Sequence, residues 1–319
     1  MPRKFDVAVM HDFYVDRLLF AGSIEGFAGA LRAKRAEGGG GIHGVRQEDV
    51  RGGNAVNLAY ALARLGLRTL LITHSDKTHE GILRGAFEGL DAELRVKPRP
   101  AALTVAFEGE VNVMVGDGRG ASDFGPELLD GEDWRGLENS RVVCSVNWAI
   151  NRRGTQLLLA LRRRLGIKKA IFLDPADFRD RGEDLGELLE AIATKHPVDW
   201  VSMNEYEGAA AAKALGIASG DPGEMCRALA KRLRVVFDLH AEGASYTSEG
   251  TRVSKAKASI VEPRRLTGAG DVWDAAAIYG RLKGMEEPER LKFANRAARL
   301  YLKNRAAEPP TLAQVEGGR

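Results

Sequence analysis

The chain has 319 residues, 47 basic and 44 acidic, for a formal net charge of +3. That length allows one large α/β domain or two small ones, and the interleaved charges leave no basic stripe or tail, so nucleic acid is excluded as a partner. Charged Asp6, His11, Asp12 and Asp16 come too early for a signal-peptide core, and no window holds eighteen uncharged apolar residues, so membrane association is excluded and a cytoplasmic location expected.

In chain order, apolar runs rich in β-branched residues predict strands at 5–10, 68–74, 141–146, 169–175, 200–204 and 234–239. Amphipathic runs between and after them predict helices at 55–65, 78–89, 154–165, 183–195, 205–215, 222–233, 271–283 and 286–304. This alternation predicts an α/β fold, doubly wound, with a mostly parallel sheet flanked by helices. Two segments break the rhythm, 12–53 and 92–117. In the second, "ALTVAFEGEVNVMV" sets a Glu-Gly turn between two runs in which Thr104, Ala106, Val111, Val113 and Val115 supply an alternating face. Both are expected to form one small β lid over the ends of the parallel strands, within a single domain spanning 1–319, because no repeat or linker marks a second. Cys144 and Cys226 lack metal or redox spacing and read as small apolar residues. Arginine supplies 33 of the 47 basic residues, a mix that leans towards a thermophilic source.

Four motifs carry candidate chemistry. "TGAGD" runs from Thr267 into a helix, so Gly268, Ala269 and Gly270 offer backbone N–H groups and the positive helix end to an anion. A carboxylate there repels phosphate unless it takes the proton from the group attacking that phosphate, which makes Asp271 a candidate general base. The competing reading makes Asp271 a plain helix N-cap. In "RGGNAVN", Gly53 precedes a helix whose first turn projects the amides of Asn54 and Asn57, suited to vicinal sugar hydroxyls, or again only a glycine turn with a cap. Asn204 ends a strand and Glu207 opens the next helix, a pair able to hold hydrated Mg²⁺ or to act as dipole partners. Asp12 and Asp16 follow the first strand, where they accept from substrate hydroxyls or merely face solvent.

Taken in this order, the motifs resemble the ribokinase-like (PfkB) carbohydrate kinase family over about residues 5 to 312, with "GGNAVN" and "TGAGD" the specific part. The resemblance implies a β lid and transfer of a terminal phosphoryl group from a nucleotide, ATP or ADP, to a sugar, nucleoside or sugar phosphate such as a ribose phosphate, with Mg²⁺ or another divalent cation. It implies acceptor contacts from Asp16, Gly53 and Asn57, an anion hole at Gly268 to Gly270, Asp271 as base, and Asn204 and Glu207 for metal and phosphate. Nucleotide contacts fall to Asn204, Asp238, His240, Gly243, Thr267 and Asn295, and relatives commonly pair through their lids, which points to a homodimer.

Two departures bear on substrates. Where the family has Asp-Thr-Thr ahead of its Gly-Ala-Gly-Asp, this chain has Arg265, Leu266 and Thr267, which weakens a monovalent-cation site. Where it has Thr-x-Gly-x-x-Gly, this chain reads "DLHAEG": Asp238 and His240 replace small residues, a carboxylate near a triphosphate is repulsive, and ADP becomes a candidate donor. On the acceptor side, Asn147, Asn151, Arg152 and Arg153 follow a strand on the ligand-binding edge, and the arginines suit an acceptor phosphate or else a solvated helix start. A nicotinamide oxidoreductase is disfavoured because no Gly-x-Gly-x-x-Gly follows the early strand. A non-catalytic sugar- or nucleoside-binding protein on the same fold is the alternative, and Asp271 argues for an enzyme.

Overall fold

β1 (Phe5–Met10) sends Ala8 and Met10 into one core cluster and Val7 and Val9 into another, the two-sided burial of a parallel strand covered by helices on both faces. It belongs to a computed structural model that describes residues 5–107, 113–218, 220–264, 267–304, 306 and 308–317. The chain continues through β2 (Tyr14–Phe20), α1 (Ile24–Ala36), β3 (Arg46–Gly52), α2 (Asn54–Arg64), β4 (Thr69–Ser75), α3 (Glu80–Ala86), β5 (Ala92–Pro98), β6 (Ala102–Phe107) and β7 (Val113–Asp117). Next come α4 (Gly131–Glu138), β8 (Ser140–Val146), α5 (Gly154–Leu165), β9 (Ala170–Asp174), α6 (Gly182–Lys195), β10 (Trp200–Asn204), α7 (Glu205–Ala214) and α8 (Pro222–Leu233). β11 (Val236–Ala241), β12 (Ala244–Ser248), β13 (Val253–Lys257), α9 (Ala269–Leu282), α10 (Glu287–Leu302) and α11 (Leu312–Gly317) complete it.

Nine strands form one sheet in the order β13-β12-β11-β10-β9-β8-β1-β4-β5, parallel from β11 to β5, with antiparallel β12 and β13 at one edge. The chain runs outward from β1 through β4 to β5, then returns to the other side of β1 as β8. That reversal opens a crevice at the carboxyl ends of the strands, where α/β sheets bind ligands. Among the described residues no helix is long and apolar enough to cross a membrane.

A second, four-stranded sheet has the order β3-β2-β6-β7. It corrects the expected lid in three respects. β5 pairs with β4 in parallel, so residues 92–98 belong to the large sheet. α1 lies within the first segment, capped by Ser23, whose Oγ accepts from Gly26 N at 3.0 Å. Register sets Thr104 opposite Gly116 and Val105 opposite Val115, so Thr104 and Ala106 occupy the buried face while Val113 and Val115 occupy the other. The Glu-Gly turn and Val111 lie outside the described residues, as do Arg265 and Leu266.

Candidate active site

The site begins where β1 and β3 hand the chain to α2. Asp12, fully buried, accepts from Asn54 N and Ala55 N at 2.9 Å each and from Asn147 Nδ2 at 2.8 Å, which caps α2 and ties β8 to it. Gly53 caps the same helix at φ 96°, and a Cβ there would meet Asp12 O at 2.9 Å. One residue earlier, a Cβ on Gly52 would overlap the Asp16 carboxylate at 2.2 Å, so the double glycine exists to let two aspartates approach the backbone. Asp12 thus serves the helix start, and its surface-exposed reading is overturned; Asp16 is also buried.

Asp271 lies on the first turn of α9, whose N-cap is Gly268 at φ 88° and has no side-chain cap. The carboxylate points instead across to α2, where Oδ1 accepts from Asn54 Nδ2 and Oδ2 from Asn57 Nδ2, both at 3.1 Å. This removes the N-cap reading of Asp271. Arg51 Nη1 donates to Asn57 Oδ1 at 2.7 Å and fixes which end of that amide faces the carboxylate. Burial, then the nearby Asp174 charge, push the Asp271 pKa well above the usual carboxylate value.

Two cavities meet beside this residue. One, of about 440 Å³, is lined by residues that include Tyr14, Asn54, Asn147, Asp174, Asp177, Asp180, Arg181, Glu207, Gly268 and Asp271. The other, of about 450 Å³, is bounded by residues that include Glu205, Gly243, Ile260, Ala269, Trp273, Asn295 and Arg299. Asn204, His240 and Gly270 line both. Asn295 shapes its wall, accepting from Trp273 Nε1 at 2.8 Å, and Thr267 O accepts from Tyr301 OH at 2.6 Å.

The first cavity is strongly acidic. Burial and then the Asp174 charge raise Glu207 to about 8, and burial raises Asp174 to about 6. Asn204 Oδ1 accepts from Glu207 N and Glu207 Oε2 from Asn204 N, both at 2.9 Å, a reciprocal cap of α7. Among the described residues no group of three or more His, Cys, Asp and Glu side chains stands in metal-holding geometry. The donor chemistry still fits a hydrated divalent cation, since buried, crowded carboxylates whose pKa values burial and mutual charge raise are what a dication relieves.

Four expected ligand residues face elsewhere. Asp238 is fully buried and takes a bidentate pair from Arg290, Nη1 to Oδ2 at 2.7 Å and Nη2 to Oδ1 at 2.8 Å, with Trp200 Nε1 adding a third bond at 3.0 Å. Burial, the largest single influence, would raise its pKa; the Arg290 charge and the hydrogen bonds to the carboxylate together outweigh it and lower the value. The repulsion argued from Asp238 against a triphosphate therefore lapses. Arg153 pairs with Glu127, and Arg152 lines an outer groove between α5 and α6, so neither lines the acidic cavity. Asn151 is buried, its Nδ2 donating to Phe124 O at 2.9 Å. Sequence reading missed Tyr14, Asp174, Asp177, Asp180, Arg181 and Trp273. Asp174 had a usable signal, because it lies one residue from the end of the strand predicted at 169–175 and ends β9 as Asn204 ends β10.

The crevice at the strand ends, the paired cavities and the glycine turn opening α9 define a kinase-type α/β fold, and the comparisons agree. The pfkB family carbohydrate kinase model matches residues 22–313, and the chain belongs to that family. Among solved structures it is similar to an adenosine kinase from Sinorhizobium meliloti, at 20% identity, TM-score 0.76 and 95% coverage of each chain. It is similar to the ribokinase of Arabidopsis thaliana complexed with ribose and ATP, at 18% identity and TM-score 0.75, covering 99% of this chain and 98% of that one. A ribokinase-II-like protein from E. coli in complex with ATP and Mg²⁺ has 13% identity, TM-score 0.78 and 98% coverage of each. These likenesses establish the ribokinase-like fold. Among curated proteins none matches the chain.

Proposed function

We propose that the protein transfers the terminal phosphoryl group of ATP to a hydroxyl of an unphosphorylated sugar or nucleoside. The observation that carries this reading is the Asp271 carboxylate, oriented by Asn54 and Asn57, beside the Gly270 turn that borders both cavities. The nucleotide occupies the cavity bounded by Trp273 and Asn295, and the acceptor the acidic one. Asp271 takes the proton from the attacking hydroxyl; its raised pKa makes it a better base than an exposed aspartate. Backbone N–H groups at Gly268 to Gly270, with the N-terminus of α9, face the charge that develops on the transferred group. Glu207, Asn204 and Asp174 would hold a hydrated divalent cation, which neutralises phosphate charge when bound. The small sheet, through Tyr14, acts as a lid over the acceptor.

The choice of acceptor rests on charge. Asp174, Asp177, Asp180, Glu207 and Asp271 line the cavity, and the guanidinium among them, Arg181, is committed to Asp184 and to the carbonyls of Trp148 and Asn151. Asp177 is paired with Arg179, but a phosphorylated acceptor would still meet Asp174, Asp180, Glu207 and Asp271 with no uncommitted cation among the described lining residues. ATP is favoured over ADP because the argument for ADP depended on Asp238, which turns away. The test is a matrix of MgATP and MgADP against ribose, fructose, inositol, adenosine, ribose 5-phosphate and fructose 6-phosphate, with Arg152→Ala and Arg153→Ala beside wild type. Turnover of a free sugar or nucleoside with unchanged KM in both variants is expected. Transfer to sugar phosphates alone, with a large KM increase in either variant, would overturn the acceptor assignment.

A further inference from the structure

Of the three residues that line both cavities, Asn204 is committed to its helix cap and Gly270 has no side chain. The third, His240, is the penultimate residue of β11 and lies beside Asn204 in the sheet, and among the described residues neither of its ring nitrogens has a hydrogen-bond partner. Its ring lies 5.1 Å from that of Trp273, tilted by 32°, and a Cβ added at Gly270 would be 3.7 Å from His240 Cε1. The imidazole is therefore braced on one side and borders the anion-binding turn. Whether neutral or protonated, the ring keeps an N–H to donate.

We propose that His240 is a catalytic residue of the phosphoryl transfer, donating its imidazole N–H to the phosphoryl group as that group crosses from the nucleotide cavity to the acceptor cavity. The proposal rests on the phosphotransfer reading above. In the step, an acceptor oxygen lone pair forms the new bond to phosphorus and the hydroxyl proton passes to Asp271. The bond from phosphorus to the bridging oxygen breaks, and that oxygen leaves with the electron pair as part of ADP. His240 exchanges no proton; it contributes a hydrogen bond that strengthens as charge redistributes on the transferring oxygens.

The test compares wild type, His240→Phe, which keeps an aromatic ring against Trp273 without a donor, and His240→Gln, which keeps an N–H donor. Each is assayed with MgATP and whichever of ribose, fructose and adenosine wild type turns over fastest. For His240→Phe, kcat should fall about a hundredfold while Kd for MgATP, by titration calorimetry, changes less than about threefold, because a transition-state donor contributes little to ground-state binding. His240→Gln should recover most of the loss. If the Phe variant melts early, His240→Leu replaces it. Wild-type kcat in the donor-less variant, an affinity loss equal to the kcat loss, or a Gln variant as slow as the Phe one overturns the role of His240 alone. Absence of transfer by wild type to all three acceptors overturns the phosphotransfer reading, and this proposal with it.

Discussion

Replacing Asp271 by Asn separates catalysis from folding. The Asn57 amide is fixed by Arg51, so the introduced side chain must turn its oxygen towards Asn57 Nδ2 and its NH₂ towards Asn54. Asn54 can rotate to accept from it, because among the described residues nothing else holds its side-chain oxygen. At worst the variant loses one hydrogen bond, about 0.5–1.5 kcal/mol, and a favourable anion near the α9 N-terminus, about 0.3–1 kcal/mol. Against this stands relief of a buried carboxylate near Asp174. The pKa of Asp271 is raised on folding, so the native state holds a proton that the unfolded state releases, and the associated stability is lost as pH rises through the folded value. The variant should therefore gain on wild type, in Tm, as pH rises above the ordinary carboxylate range towards that raised value. Turnover should fall by about 10² to 10⁴, or about 2.7–5.4 kcal/mol of barrier at about 1.36 per decade. ADP release measured by a coupled assay, with MgATP binding by calorimetry and thermal melts on the same preparation, separates the two effects. Turnover near that of wild type, or a loss explained by the unfolded fraction, refutes the general-base argument.

Other consequences are as direct. Glu207, raised to about 8, binds a proton on folding and loses that stabilisation as pH rises from its unfolded value through about 8; Glu207→Gln should melt above wild type at pH 9, with the gap closing by pH 5, and a pH-independent difference would contradict the assigned cause. Asp238→Ala removes the bidentate partner of the fully buried Arg290, leaving Glu287 on its Nε alone, and should cost about 3–5 kcal/mol in denaturant melts, with the KM for ATP unchanged at a temperature where the variant is folded; a KM increase without instability would return Asp238 to the nucleotide site. Strand β7 exposes Val113 and Val115 at 42% and 62% on one face, and the chain should pair through this face; light scattering at micromolar concentration should give a dimer that Val115→Lys dissociates, and a wild-type monomer ends the idea.

The sequence by itself determined the alternation that makes a parallel sheet and located six of the nine strands of the large sheet, because two-sided burial leaves continuous apolar runs such as "FDVAVM", whereas the edge strands β12 and β13 carry no such run. It also located the glycine turns at 53 and 268, since only particular residues tolerate those backbone angles and close approaches. Direction was not legible. Asp12, Asp238, Arg152 and Arg153 are polar residues near strand ends, like Asn204, and nothing local distinguishes a carboxylate that faces a cavity from one that caps a helix or meets an arginine fifty-two residues away. The membership of β5 in the large sheet was equally hidden, because strand pairing is decided by which neighbour completes its backbone hydrogen bonds. The acidic cavity has the same origin. Asp174, Asp177, Asp180, Glu207 and Asp271 are spread along the chain, and only the convergence of strand ends at the β1 reversal gathers their charge into one site.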